Sequence, residues 1–82
     1  MVRLTDRARD ALLGSLAAAR RFDPGACLRV VSQDGAIRVV FAEAPDPGDE
    51  VVQLGEASIG FEPGIAGTID AGEHNALAVV AP

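Results

Sequence analysis

Lysine, tryptophan and tyrosine are missing from this sequence, and cysteine and histidine occur once each, as Cys27 and His74. Each gap excludes something. Without lysine there is no Gly-Lys pair to build a phosphate-cradling loop. With three phenylalanines as the only aromatic residues, the exposed rings that stack on bases are scarce, which argues against a nucleic-acid partner. A lone cysteine permits neither an intrachain disulfide nor a Cys-x-x-Cys site, so the fold needs no oxidising compartment. No apolar run approaches the ~20 residues of a membrane span, and Met1 to Arg7 holds no apolar core of signal-peptide length. The expectation is a cytoplasmic protein without a membrane partner. Ser15, Ser32 and Ser58 share a single histidine, and no nucleophile-elbow pattern surrounds any of them. No enzymatic activity is expected.

Alanine, glycine, valine and arginine stand in place of the missing types, the usage expected of a GC-rich bacterial genome. All seven arginines lie between Arg3 and Arg38, so the first 38 residues carry a net charge of +3 and the remainder −8. Such a division can steer a partner or pair two copies head to tail, and it disfavours phosphate. Residues 1–82 make one small domain, burying ~60–65% of the surface its unfolded chain would expose. A core of that size would gain from a homodimer partner.

The strongest punctuation is Ala44 to Val52, Ala-Pro-Asp-Pro-Gly-Asp-Glu-Val-Val. Pro45 and Pro47 remove two backbone donors and Gly48 permits a turn, so neither a helix nor a central strand passes through. Ahead of it, Thr5 can cap a helix from Asp6 to Phe22 whose apolar stripe is Ala8, Leu12, Ser15, Leu16 and Ala19, widened by Ala11 and Leu13. Asp23-Pro24-Gly25 stops it. From Ala26 to Glu43 the period becomes two, with Asp34-Gly35 as the centre of a type I′ hairpin. That turn sets Gln33 opposite Ala36 and Leu28 opposite Phe41, and puts Leu28, Val30, Ile37, Val39 and Phe41 on a core face. After the punctuation come strands at Glu50 to Leu54 and Ala57 to Glu62, a turn over Pro63 to Gly67, a short strand Thr68 to Asp70, a polar turn Ala71 to Asn75, and a last strand Ala76 to Ala81. The fold class is mostly β with one N-terminal α-helix, an α+β domain of six or seven short strands after the helix.

Several of these segments together resemble the HesB-like family, the A-type iron-sulfur cluster carriers and scaffolds. The resemblance rests on Leu4-Thr5 with the alanine-rich helix, Leu28-Arg29-Val30, the run Pro45 to Val52, Ile59 to Pro63, and Gly67-Thr68-Ile69-Asp70. It implies a compact β-sandwich of short mixed strands with the helix packed against it, in proteins that are often oligomeric and that partner the iron-sulfur assembly machinery. The family works through three cysteines, one in a Gly-Cys-Ser-Gly-like loop after the first long strand and two in a Cys-Gly-Cys segment. Here Ser32-Gln33-Asp34-Gly35 occupies the loop, and the sequence reaches Pro82 without Cys-Gly-Cys. The expectation is a cysteine-poor branch that keeps the scaffold and lacks the cluster ligands.

An iron-sulfur cluster takes four protein ligands, mostly thiolates, which one chain with Cys27 alone cannot supply. Two chains could place two copies of Cys27 beside donors such as His74, so a cluster held between subunits stays as an alternative. The ordinary reading of Cys27 is a small, half-buried strand residue, with Arg29 on the same face able to favour its thiolate. His74 could join Asp70 and Glu73 in an imidazole and carboxylate metal site, against the reading of an exposed turn histidine. Asp46, Asp49 and Glu50 could hold a hard cation but lack the alternation of a calcium loop. The function expected is a non-enzymatic HesB-like domain associated with iron-sulfur biogenesis. The other alternative is an interaction or structural module outside that chemistry.

Overall fold

A helix starts where a side chain can answer one of its free amides, and Thr5 does so here. In the computed structural model, which describes the backbone of residues 1–82 and every side chain except that of Asn75, the Ala8 N–H donates to Thr5 Oγ1 at 3.1 Å and α1 runs Asp6–Arg20. Asp6 in the first turn and Arg20 in the last suit the helix dipole. Ala8, Ala11, Leu12, Leu16 and Ala19 are buried, as the spacing predicts. Leu13 departs from the expected stripe at 40% exposure. The helix also ends two residues before Phe22, because Arg21 serves as its cap and Phe22 turns outward.

Seven strands are formed among the described residues, one of them ahead of the helix where the sequence pattern shows none. This first strand, β1 (Val2–Leu4), is three residues long, too short to display alternation. It exists because a distant partner receives it: Val2, Arg3 and Leu4 lie parallel to Gly67, Thr68 and Ile69 of β6 (Gly67–Ala71). Six strands follow the helix, within the expected number. β2 (Cys27–Gln33) and β3 (Ala36–Ala42) form the hairpin in the predicted register, with Gln33 opposite Ala36 and Leu28 opposite Phe41. Asp34 at φ 53° and Gly35 at φ 80° supply the two left-handed positions of a type I′ turn. β4 (Glu50–Leu54) pairs antiparallel with β5 (Ala57–Phe61), which lies parallel to β2. The last strand, β7 (Leu77–Ala81), pairs antiparallel with β6 after a single 3-10 turn at Glu73–Asn75. Ala71, expected in a polar turn, ends β6 instead and is buried.

The strands make two mixed sheets, ordered β1-β6-β7 and β3-β2-β5-β4. Helix α1 packs mainly on β6, and also on β2 and β1. One apolar cluster draws on every layer: Leu12 and Leu16 from the helix, Val2 and Ile69 from the smaller sheet, Leu28, Val30, Ile59 and Phe61 from the larger. Phe41 is the exception to the expected core face. Its register places it there, yet it is 69% exposed, because β3 is an edge strand and the space between its end and the last turn of α1 stays open.

The connector between β3 and β4 lies against β5 at Gly60. A β-carbon added there would sit 2.5 Å from Asp49 Oδ2, and 3.0 Å and 3.3 Å from Pro45 Cβ and Cα. Only hydrogen fits beneath the connector, so Gly60→Ala is expected to destabilise by about 1–3 kcal/mol through overpacking. Gly14, mid-helix and exposed, has nothing within 4 Å of its added β-carbon. Gly14→Ala is expected to stabilise by about 0.5–1 kcal/mol. Urea unfolding of both variants should show midpoints moving in opposite directions at unchanged slope.

Candidate functional site

Two polar latches engage three of the carboxylates that could have formed a metal site, Asp46, Asp49 and Asp70. The first is built on Arg29, which β2 directs to the outer face of its sheet. Arg29 Nε donates to Asp49 Oδ2 at 2.7 Å and Nη2 to Oδ1 at 2.8 Å, a bidentate pair. The Asp49 side chain has no exposure and that of Arg29 is 14% exposed. A carboxylate removed from water in this way requires a charged partner and further hydrogen bonds. The connector supplies one: its Asp46 N–H donates to Asp49 Oδ2 at 2.9 Å, and Asp49 N–H donates to the Asp46 carbonyl at 3.1 Å. Pro47 and Gly48, the latter at φ 94°, are the central residues of that turn. Asp46 also approaches Arg29 Nη1 at 3.3 Å from an exposed position.

The second latch joins the start of the helix to β6. Thr5 Oγ1 donates to Asp70 Oδ1 at 2.6 Å while Thr5 N–H donates to the Ile69 carbonyl at 3.0 Å. Asp70 Oδ1 also accepts from the Ala71 N–H at 2.9 Å. Nearby, Glu50 Oε2 accepts from the Val2 N–H at 2.7 Å, so the first residue of β4 also secures β1.

The sequence-predicted candidates are therefore dispersed. Asp70 faces Thr5, leaving Glu73 and His74 without it, and His74 lies in the left-handed region at φ 56° on a shallow groove with Ser15, Val39 and Leu77. Asp46 and Asp49 are drawn to Arg29, and Glu50 to the N-terminal strand. Cys27 is half-buried at the start of β2 opposite Ala42, and the guanidinium expected beside it is engaged by Asp49. Among the described residues, no three His, Cys, Asp or Glu side chains converge to hold a metal ion. Ser32-Gln33-Asp34-Gly35, where the resemblance implies a cluster ligand, supplies none. The loop position is a two-residue turn without sulfur, and Cys27 lies six residues before Gln33, roughly 20 Å along the strand.

An open cleft was not foreseen from the sequence. Phe22 is 92% exposed beyond the helix cap, and with Phe41, Ala19 and Ala26 it lines a cleft of about 410 Å³ rimmed by Asp23 and Glu43. Phe22 N–H and Asp23 N–H both donate to the Ala19 carbonyl, at 3.1 Å and 3.0 Å, and Ala26 N–H donates to the Asp23 carbonyl at 2.9 Å. These bonds fold the chain back into β2 and leave the Phe22 ring outside. The signal in the sequence was an aromatic residue directly after two arginines at a helix end.

Both latches set a pH dependence. The hydrogen bond from Arg29 holds the Asp49 carboxyl below its usual range, and that from Thr5 does the same for Asp70. A lowered folded value means stability that is fully present above the unfolded value of about 3.9 and is lost as pH falls through the folded one. Melting temperature should therefore drop on acidification below about pH 4. Asp49→Asn should melt lower than wild type at neutral pH and show a shallower acid decline, the remaining slope including the Asp70 contribution. Calorimetry across that range checks both.

Compared with models of known protein families, with curated proteins and with solved structures, the chain matches none.

Proposed function

We infer that this is a non-enzymatic HesB-like domain that serves iron-sulfur cluster biogenesis through protein contacts and holds no cluster in that family's usual way. The observation that carries the reading is how the five segments of the resemblance meet. Leu4-Thr5 meets Ile69-Asp70 through strand register and the Thr5 hydrogen bonds. Leu28-Arg29-Val30 meets the Pro45 to Val52 run through Arg29 and Asp49, and that run meets the strand from Ile59 at Gly60. Segments chosen for their likeness to one family thus sit at the joints of a single scaffold, which supports a shared architecture. The ligand argument is one of chemistry: a cluster takes four ligands, mostly thiolates, and the chain offers one thiol.

The exposed Phe22 and Phe41 support a role through contacts. They support equally a contact module whose partners lie outside iron-sulfur chemistry, so the test has to separate the two. Titration calorimetry of the purified chain against a cysteine desulfurase and an iron-sulfur scaffold protein is expected to show binding to at least one. Binding to neither removes the domain from this pathway. Anaerobic incubation with ferrous iron and sulfide is expected to leave the visible spectrum free of cluster bands in wild type and Cys27→Ser alike. Bands present in wild type and lost in Cys27→Ser would replace this reading with ligation between subunits.

A further inference from the structure

Of the chain's three phenylalanines, Phe22 and Phe41 are exposed, and the cleft they share carries charge of one sign only. Its rim carboxylates, Asp23 and Glu43, have no ion-pair partner among the described residues, and no arginine among them lines the cleft. Asp23 Oδ1 accepts from the Gly25 N–H at 3.0 Å, which fixes its place at the rim. Arg20 is engaged elsewhere, its Nε donating to the Ala26 carbonyl at 3.2 Å and its side chain lining a separate groove with Leu54 and Glu56. The cleft also opens on a sheet edge. β3 has a neighbouring strand on one side only, and the hairpin turn fixes which of its backbone groups are free. Gln33 and Ala36, flanking the two-residue turn, form a bonded pair, so bonded and unbonded pairs alternate down the register and Leu28 with Phe41 is an unbonded one. The N–H and C=O of Phe41 therefore point away from β2, and neither has a hydrogen-bond partner among the described residues.

We propose that this end of β3 receives a short extended segment of a partner protein, antiparallel to β3, with a bulky apolar residue against the two rings and an arginine or lysine two positions before it at the carboxylates. An added strand can exchange two main-chain hydrogen bonds with Phe41, and the residue directly opposite then shares the face of the Phe41 ring. That residue meets the apolar floor formed by Ala19, Ala26 and the rings. Glu43 follows Phe41 by two residues, one period of a strand, and lines the same cleft. In an antiparallel segment the residue facing Glu43 precedes the apolar one by two, and a cation there is answered by Glu43 and Asp23. Nearer the turn the edge is occupied differently, since Ile37 and Val39 share their groove with His74 and Leu77, so the added segment is short. The cleft is also preformed. Phe22 and Asp23 both donate to the Ala19 carbonyl, which leaves mainly the incoming segment to be ordered on binding.

The inference rests on the reading of the domain as one that works through contacts, and its test is separate from that one. The probe is an acetylated, amidated peptide, threonine-arginine-threonine-leucine-threonine, titrated into the full chain and followed by nuclear magnetic resonance. Saturable binding is expected, with a dissociation constant on the order of a millimolar, shifts confined to the cleft, and slowed hydrogen exchange at the Phe41 amide. Replacing the peptide's arginine by glutamate should weaken binding at least about tenfold. Phe22→Ser changes an exposed position, so it should keep the wild-type circular dichroism while binding the arginine peptide at least about fivefold more weakly. Glu43→Arg should narrow the difference between the two peptides to within about threefold. No saturable binding up to about 10 mM, equal binding of the two peptides, or unchanged exchange of the Phe41 amide at saturation overturns the proposal. Self-association of the chain that excludes the peptide gives the cleft to a second copy and overturns it too. An assembly protein that binds wild type and Phe22→Ser alike, while the peptide does not bind, leaves the functional reading standing without this one. Peptide binding with no assembly protein bound does the reverse.

Discussion

Asp49 is a carboxylate without contact with water, and the charge that answers it comes from Arg29, twenty residues earlier on β2. Much of the larger sheet follows from that pairing. For the guanidinium to reach it, the connector has to cross the outer face of the sheet, which brings Pro45 and Asp49 down on β5 and leaves room there only for glycine. Crossing in that direction delivers Glu50 to the edge of the sheet, where its carboxylate takes the Val2 amide and fixes the start of β1. The ion pair thus does more than close one loop. It determines where β4 begins and, through Glu50, helps to set where the chain's first strand lies.

What could be read in advance divides along sequence distance. The hairpin register was legible to the residue, because Asp34-Gly35 admits few backbone conformations and a slip of one position would turn Leu28 and Val30 outward. The helix was legible for the same kind of reason, its cap and its apolar spacing being local. The latches were not. Thr5 and Asp70 are 65 positions apart and Val2 and Glu50 are 48 apart, and no local rule pairs a particular hydroxyl or amide with a particular carboxylate at that range. Acidic residues that look free along the chain, Asp46, Asp49, Asp70 and Glu50, are committed in the fold. Spacing alone shows nothing of that commitment.

Phe41 shows a second limit of the same kind. Alternation assigns it to a face, and that assignment holds in the register, but a face is only as buried as the layer laid over it. The layer over β2 is the helix, which ends at Arg20. A pattern of period two carries no information about where a helix on another part of the chain stops, so the exposure of Phe41 and Phe22 appears only once both elements are placed together.

The distinction between scaffold and site bears on what a cysteine-poor chain of this kind can do. Residues that fix geometry act through packing and fixed hydrogen bonds, and removing a ligand elsewhere does not weaken them. Arg29, Asp49, Gly60, Thr5 and Asp70 all belong to that class, and none needs a metal to be satisfied, since each polar atom among them that is buried has a partner. A cluster ligand has the opposite character: it must leave a thiolate accessible at a shared point. The tight turn at Asp34-Gly35 shows the contrast, because its left-handed conformations close a compact hairpin with two residues, neither of them a cysteine. A fold that holds itself together by polar latches keeps its shape without any ligand bound at that turn.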